Sequence, residues 1–284
     1  MIIKPKGKFS LEKLIKELPD SFDETFWLIS FLSRKRIVWY GADIVALPNK
    51  ENPAFRQAVA YRQSWLGFHQ DLDREQSWID MVLKLEDLRN GLFEELLENY
   101  ESSQYKTTIR RTIPFLLMSY EQGYFESHIA NTYAALETIV AGLSSNSNDD
   151  TNDSLASKDF KQLTGKIKAV INEEIDDEKI RDRIIGKLGD LNRRPILDRL
   201  MTLLDKHKVP LEKIWSSTTD IKAELGKIIR RRNLYIHQGR IDNFGQYYDD
   251  YSCLRILIEL WILKLLECPE ESINDAALQI FLRR

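Results

Sequence analysis

Phe125-Glu126-Ser127-His128-Ile129-Ala130-Asn131-Thr132-Tyr133-Ala134-Ala135-Leu136-Glu137-Thr138-Ile139-Val140-Ala141-Gly142-Leu143 is the most regular stretch of the chain. Phe125, Ile129, Tyr133, Leu136, Val140 and Leu143 recur every three or four residues. That spacing lines up one face of a helix and predicts an amphipathic α-helix here.

The same spacing repeats on both sides. Upstream, Trp78, Val82, Leu85, Leu88, Leu92, Leu96 and Tyr100 predict a helix from about Ser77 to Tyr100. Lys106 to Gln122 carries Ile109, Ile113, Leu116, Leu117 and Tyr120 on one side. Pro114 lies inside it and predicts a kink or a restart, because proline has no N–H for the preceding turn. Farther upstream, a short helix opens at Ser10 and stops at Pro19, and Asp23 to Leu32 gives a second. Arg36-Ile37-Val38-Trp39-Tyr40 is β-branched and aromatic and reads either as a lone strand or as a helix end. Pro48 and Pro53 mark a loop.

Downstream, Ser144 to Ser157 is rich in Ser, Asn and Asp and is expected to be an exposed, mobile loop. Helices resume at about Lys158 to Glu174 and Glu178 to Leu188. Asn192-Arg193-Arg194-Pro195 is a turn, with Pro195 opening a helix that runs to about Lys206. Thr219 or Asp220 can cap a helix to Ile236, with Gly239 as its terminator. An apolar helix follows at Tyr248 to Cys268, and a last one at about Ser272 to Leu282. The expected fold is all-α: a helical bundle over 101–284, with a smaller, mainly helical N-terminal region over 1–100.

Composition agrees. Only 12 Gly and 8 Pro in 284 residues disfavour a many-turned β fold. A net charge of −3 excludes a whole-protein nucleic-acid clamp, so any polyanion site must be local. Cys253 and Cys268 belong to no CxxC pair or metal-spaced cluster; they read as reduced thiols, which suits a cytoplasmic location. Met1 to Ser10 lacks an apolar core, so no signal peptide is expected. The most apolar run, Leu254 to Leu266, carries Arg255, Glu259 and Lys264. It falls short of the roughly 20 apolar residues of a membrane span, so no membrane contact is expected.

The sharpest charge cluster is Lys227, Arg230, Arg231, Arg232 and Arg240, with no acid between Glu224 and Asp242. His237 lies at its centre. Arg230, Asn233 and His237 fall on one helical face. Arg232 instead joins the apolar stripe Ile221, Leu225, Ile228 and Tyr235, where a guanidinium needs a carboxylate, a second subunit or a phosphate as partner. A histidine changes charge near neutral pH and can move a proton. An arginine can hold phosphate oxygens in a fork. Together they suffice for RNA cleavage in which the 2′-hydroxyl is the nucleophile, without metal or cofactor. A basic helix end with one histidine is more often a solvated surface, so spacing alone does not decide the matter.

Arg232-Asn233-Leu234-Tyr235-Ile236-His237 resembles the R-x4-6-H motif of HEPN domains. Tyr133-Ala134-Ala135-Leu136-Glu137 looks like the "ALE" helix of the ApeA-like HEPN branch, and Leu191-Asn192-Arg193-Arg194-Pro195-Ile196-Leu197-Asp198-Arg199-Leu200 is similar to that branch too. The likeness spans about Lys106 to Leu266. It implies a helical bundle, a homodimer with facing motifs, and metal-independent endoribonuclease activity in phage defence, toxin–antitoxin or stress response. Arg232 and His237 are then catalytic, Asn233 orients them, and Glu137 pairs with or positions the motif. Arg230, Arg231, Arg240 and Lys227 are RNA-binding. Arg230 and Arg231 also fit the looser spacing, leaving the key arginine open. RNA and a restraining antitoxin or sensing partner are the implied partners. No Tyr stands two residues after His237, so control through a modified tyrosine is not expected. The alternative is a non-catalytic HEPN module that binds RNA or a protein. A third reading is a helical scaffold.

His69 reads as a packed or surface residue before it reads as a second acid or base, and His128 and His207 read as flanking and capping residues. Asp149, Asp150 and Asp153 lack EF-hand spacing and read as a solvated loop. Trp65, Trp78 and Tyr247-Tyr248 could stack on bases, but no dense aromatic–basic interleaving marks them.

Overall fold

The computed structural model describes residues 24–34, 41–46, 56–61, 81–120, 124–146, 154–216, 218–239, 241 and 243–281. Helix α1 covers 24–33. Strands β1 (Gly41–Ala46) and β2 (Arg56–Tyr61) pair antiparallel, Gly41 opposite Tyr61 and Ala46 opposite Arg56. The rest is helical: α2 (Leu85–Asp87), α3 (Phe93–Ser102), α4 (Lys106–Met118), α5 (Phe125–Asn146), α6 (Ser157–Glu174), α7 (Glu178–Lys187), α8 (Ile196–Lys206), α9 (Ile221–Gln238), α10 (Phe244–Leu265) and α11 (Glu270–Phe281). The fold is an all-α helical bundle with one short hairpin among the described residues.

α10 is its axis. From Tyr247 to Leu265 nearly every side chain is buried, including Trp261 at 0% exposure. A helix apolar all round must be enclosed by others. It packs on α5, α4 and α11. α4 and α5 form the closest pair, and Gly142 is the reason. A Cβ there would sit 2.9 Å from Thr108 Cβ and closer still to its Oγ1 and Cγ2. Alanine normally gains about 1 kcal/mol over glycine inside a helix. Gly142→Ala should instead lower stability by roughly 1–3 kcal/mol, because two backbones must separate. Urea unfolding followed by circular dichroism measures it; an unchanged midpoint would refute the close contact.

Several sequence expectations need correction. The helix from Ser77 to Tyr100 is not continuous. Residues 81–84 are not helical, and a wide turn at Leu88–Leu92 is broken at Asn90 and at Gly91, whose φ is +104°. After the break the apolar period is buried as expected, at Leu92, Leu96 and Tyr100. Pro114 does not restart α4, which runs unbroken from Lys106 to Met118. The carbonyl it frees belongs to Arg110, an exposed residue that water can satisfy. The expected loop begins later, since α5 continues to Asn146. Its far end is fastened: Asn192 accepts from the Leu155 N–H at 2.8 Å and donates to its carbonyl at 3.0 Å. The hairpin was not anticipated, and the Pro48–Pro53 loop lies outside the described residues. So do the helix at Ser10, the Arg36–Tyr40 segment, His69 and the Asp149, Asp150, Asp153 group.

Leu28, Phe31 and Leu32 of α1 join Leu96, Tyr100 and Trp261 in one hydrophobic core, so no gap in that core falls at residue 100. Among the described residues no helix is long and apolar enough to cross a membrane. Both thiols are buried and in no disulfide, and burial pushes Cys268 up to about 12. His207 follows α8 as its C-cap and packs edge-on to Tyr105 at 5.3 Å. His128 bonds the Ser119 carbonyl through one ring nitrogen at 2.7 Å.

Candidate catalytic face on helix α9

α9 is fixed at both ends by residues legible in the sequence. The Asp220 carboxylate accepts from the Ala223 N–H at 3.0 Å, a standard N-cap. Gly239, at φ +62°, turns the chain left-handed, and its N–H bonds the Tyr235 carbonyl at 2.8 Å. Leu225 and Ile228 seat the helix in the core.

Successive helical residues point about 100° apart, so three adjacent arginines must diverge. Arg231 turns to α10, where its Nε and Nη2 donate to the two carboxylate oxygens of Asp250 at 2.5 Å each. This is a forked, charge-assisted pair. Asp250 is buried. Desolvation raises its pKa while Arg231 opposes that, and the net shift is upward. Tyr247 adds a bond from its hydroxyl to the Arg231 carbonyl at 3.1 Å. Arg232 turns to α5. Its Nη2 pairs with Glu137, and its Nη1 donates to Asn233 Oδ1 at 3.0 Å. Its Nε is buried without a hydrogen-bond partner.

Arg230 points outward. Among the described residues no carboxylate lies within ion-pair distance of it. With Leu197, Gly226 and Lys227 it lines an open groove of about 490 Å³ between α8 and α9. Lys227, in that groove, pairs with Glu224 at 2.7 Å, and Lys222 with Asp198 at 3.0 Å. Asn233 and His237 are exposed along the same face as Arg230. Because Asn233 Oδ1 is taken by Arg232, its amide NH2 is left to donate to a ligand.

The predicted residues are therefore only partly brought together. Arg230, Asn233 and His237 form one exposed stripe. Arg232 and His237, five residues apart, lie roughly 140° apart around the helix. The depression beside Arg232, lined by Tyr133, Glu137, Ile196 and Asn233, is about 20 Å³, room for a water and not for a nucleotide. Arg231 is a packing residue here. Arg240 lies outside the described residues. Sequence reasoning overlooked Asp250; its signal was an acid just before the longest apolar run. Comparison with family models, curated proteins and solved structures gives no match.

Proposed function

We propose that this chain is a metal-independent, HEPN-like endoribonuclease whose α9 face acts on one phosphodiester when two copies meet. The observation that carries the reading is the exposed alignment of a guanidinium, an amide and an imidazole at Arg230, Asn233 and His237. His237 takes the proton from the 2′-hydroxyl or returns one to the departing 5′-oxygen. A guanidinium stabilises the charge that develops on phosphorus-bound oxygens. Arg232, held by Glu137, positions Asn233 through its bond to Oδ1. A role in phage defence, toxin–antitoxin control or stress response follows from the family likeness alone. One observation favours the alternative, a non-catalytic module: carboxylates already engage both Arg231 and Arg232. Incubation with single-stranded RNA in EDTA, wild type against His237→Ala, separates the two. Loss of cleavage in the variant supports the nuclease, and binding without cleavage in either supports the module.

A second copy has a surface to use. Leu163 and Val170 on α6, with Ile180 and Ile184 on α7, are exposed. Residues 173–178 at the tip of this hairpin carry five acids and no base, while Lys158, Lys161, Lys166 and Lys168 lie toward its root. Two such hairpins laid antiparallel set acids against lysines and cover the apolar stripe. Val170→Glu with Ile184→Glu should convert a dimer to a monomer in sedimentation without loss of helix signal. A wild type that sediments as a monomer would defeat this arrangement.

A further inference from the structure

More cations gather around Glu137 than one carboxylate can serve. Glu137 pairs with Arg232 in the narrow depression where α5, α8 and α9 meet. Arg199, in the first turn of α8, lies within reach of the same carboxylate charge. Burial, and then the Arg193 charge, hold Arg199 below its ordinary pKa, while Glu137 opposes both. Arg193 is exposed just ahead of α8. The Nε of Arg199, like that of Arg232, is buried with no hydrogen-bond partner. Three guanidiniums therefore share one acid. Buried donors without an acceptor cost free energy, and a group with several charged oxygens relieves more of them than a carboxylate can. α8 opens here without a side-chain cap, and its first residue, Ile196, lines the depression, so the positive end of the helix dipole adds to the field.

We propose that Arg193, Arg199 and Arg232 bind a phosphate monoester, the terminal phosphate of an RNA strand, and that Glu137 is the placeholder it displaces. The RNA identity rests on the cleaving reading above, and the phosphate chemistry rests on the arginines. A monoester carries about −1.5 to −2 charge at neutral pH and suits three guanidiniums better than a singly charged diester. The depression adds only about 20 Å³ to the space that the carboxylate vacates, which admits one terminal group and not a strand that enters and leaves. Glu137 is 44% exposed, so it swings into water at small cost. Asn233 lines this depression and also belongs to the exposed stripe with His237. The Arg232–Asn233 bond therefore links the end phosphate to the cleaved one, and the site selects strands cut close to a phosphorylated end.

The test uses the full chain carrying His237→Ala, so that RNA stays intact. Affinities are measured for three oligoadenylates of equal length, one with a 5′-phosphate, one with a 3′-phosphate and one with hydroxyls at both ends. One phosphorylated strand should bind roughly tenfold or more tightly than the hydroxyl-ended strand, the increment of charge-assisted hydrogen bonds. Arg199→Lys keeps the charge but not the fork, and should remove most of that increment while leaving the hydroxyl-ended strand unchanged. Arg193→Lys, at an exposed position, repeats the comparison without touching packed atoms. Glu137→Gln should enlarge the increment, because the placeholder loses its charge; a gain of affinity cannot come from unfolding. Inorganic phosphate should compete with the phosphorylated strand alone. Equal binding of all three strands overturns the proposal. So does a loss in the lysine variants shared by the hydroxyl-ended strand, which marks general attraction to the backbone. A smaller increment in Glu137→Gln makes Glu137 a support for Arg232 and overturns its placeholder role. Inorganic phosphate that protects the parent and not Arg199→Lys from thermal unfolding, with no end preference among strands, assigns the arginines to free phosphate and overturns the strand-end assignment. Wild-type cleavage with no end preference sinks the subsite alone. End-dependent binding without wild-type cleavage sinks the nuclease reading alone, and no RNA binding in any form sinks both.

Discussion

Glu259→Leu should destabilise the protein by about 3–5 kcal/mol, the largest stability effect expected of a single substitution here. Glu259 lies in the middle of α10 at 0% exposure. It accepts from Arg34 Nε and Nη2 at 2.7 Å each, a fork across 225 residues of sequence. The Tyr120 hydroxyl donates to the same carboxylate. Burial, and then the nearby Glu259 charge, hold that hydroxyl well above its ordinary pKa, so it stays a donor. A second cation closes the cluster: the Arg255 guanidinium lies 4.9 Å over the Tyr120 ring and 5.0 Å over the Tyr251 ring. Two guanidiniums therefore surround one buried acid. Removing the acid leaves positive charge in a low-dielectric interior, and the cost is mainly that desolvated charge. Glu259→Gln, which keeps an acceptor oxygen, should lose less. Arg34→Met combined with Glu259→Leu should recover part of the loss, because it removes the guanidinium that forks onto the acid and leaves only the Arg255 charge. Urea midpoints for the three variants decide. A single Glu259→Leu within 1 kcal/mol of wild type would mean the cluster contributes little.

His237→Ala should reduce cleavage of single-stranded RNA in EDTA by about 10²–10⁴-fold, the usual contribution of a positioned acid or base. The residue is exposed on the last turn of α9, so its truncation leaves no cavity and unfolding cannot explain the loss. RNA affinity should change little, because Lys227 and Arg230 remain. Arg232→Ala is the informative companion. Its partner Glu137 is 44% exposed, so the ion pair itself contributes at most about 1 kcal/mol after screening by solvent; Arg232 is only 22% exposed, so thermal unfolding first has to show the variant folded at the assay temperature. Any large fall in rate would then report the lost orientation of Asn233, not instability. Cleavage at the parental rate by His237→Ala would remove the imidazole from the chemistry and leave the binding-module reading standing.

Helices were legible where the apolar period ran long: α5, α9 and α10 begin or end within a few residues of their expected bounds. Caps were legible because Asp220 and Gly239 act within a few residues of their own positions. The break at Gly91 was not, since apolar spacing continues through it while a single backbone angle does not. The hairpin escaped because its strands are six residues each and partly alanine, so they carry little alternation.

The sequence by itself placed Arg230, Asn233 and His237 on one face, because helical geometry makes that a matter of counting. It also required that Arg232, on an apolar stripe, find a partner. It could not say which carboxylate serves which arginine. Asp250 went to Arg231 and Glu137 to Arg232, and that followed from where α10 and α5 lie against α9. The Arg34–Glu259 fork and the Phe125–Phe244–Tyr248 rings have the same origin. Periodicity fixes which way a side chain points from its own helix; only the packing of distant helices decides what it meets there.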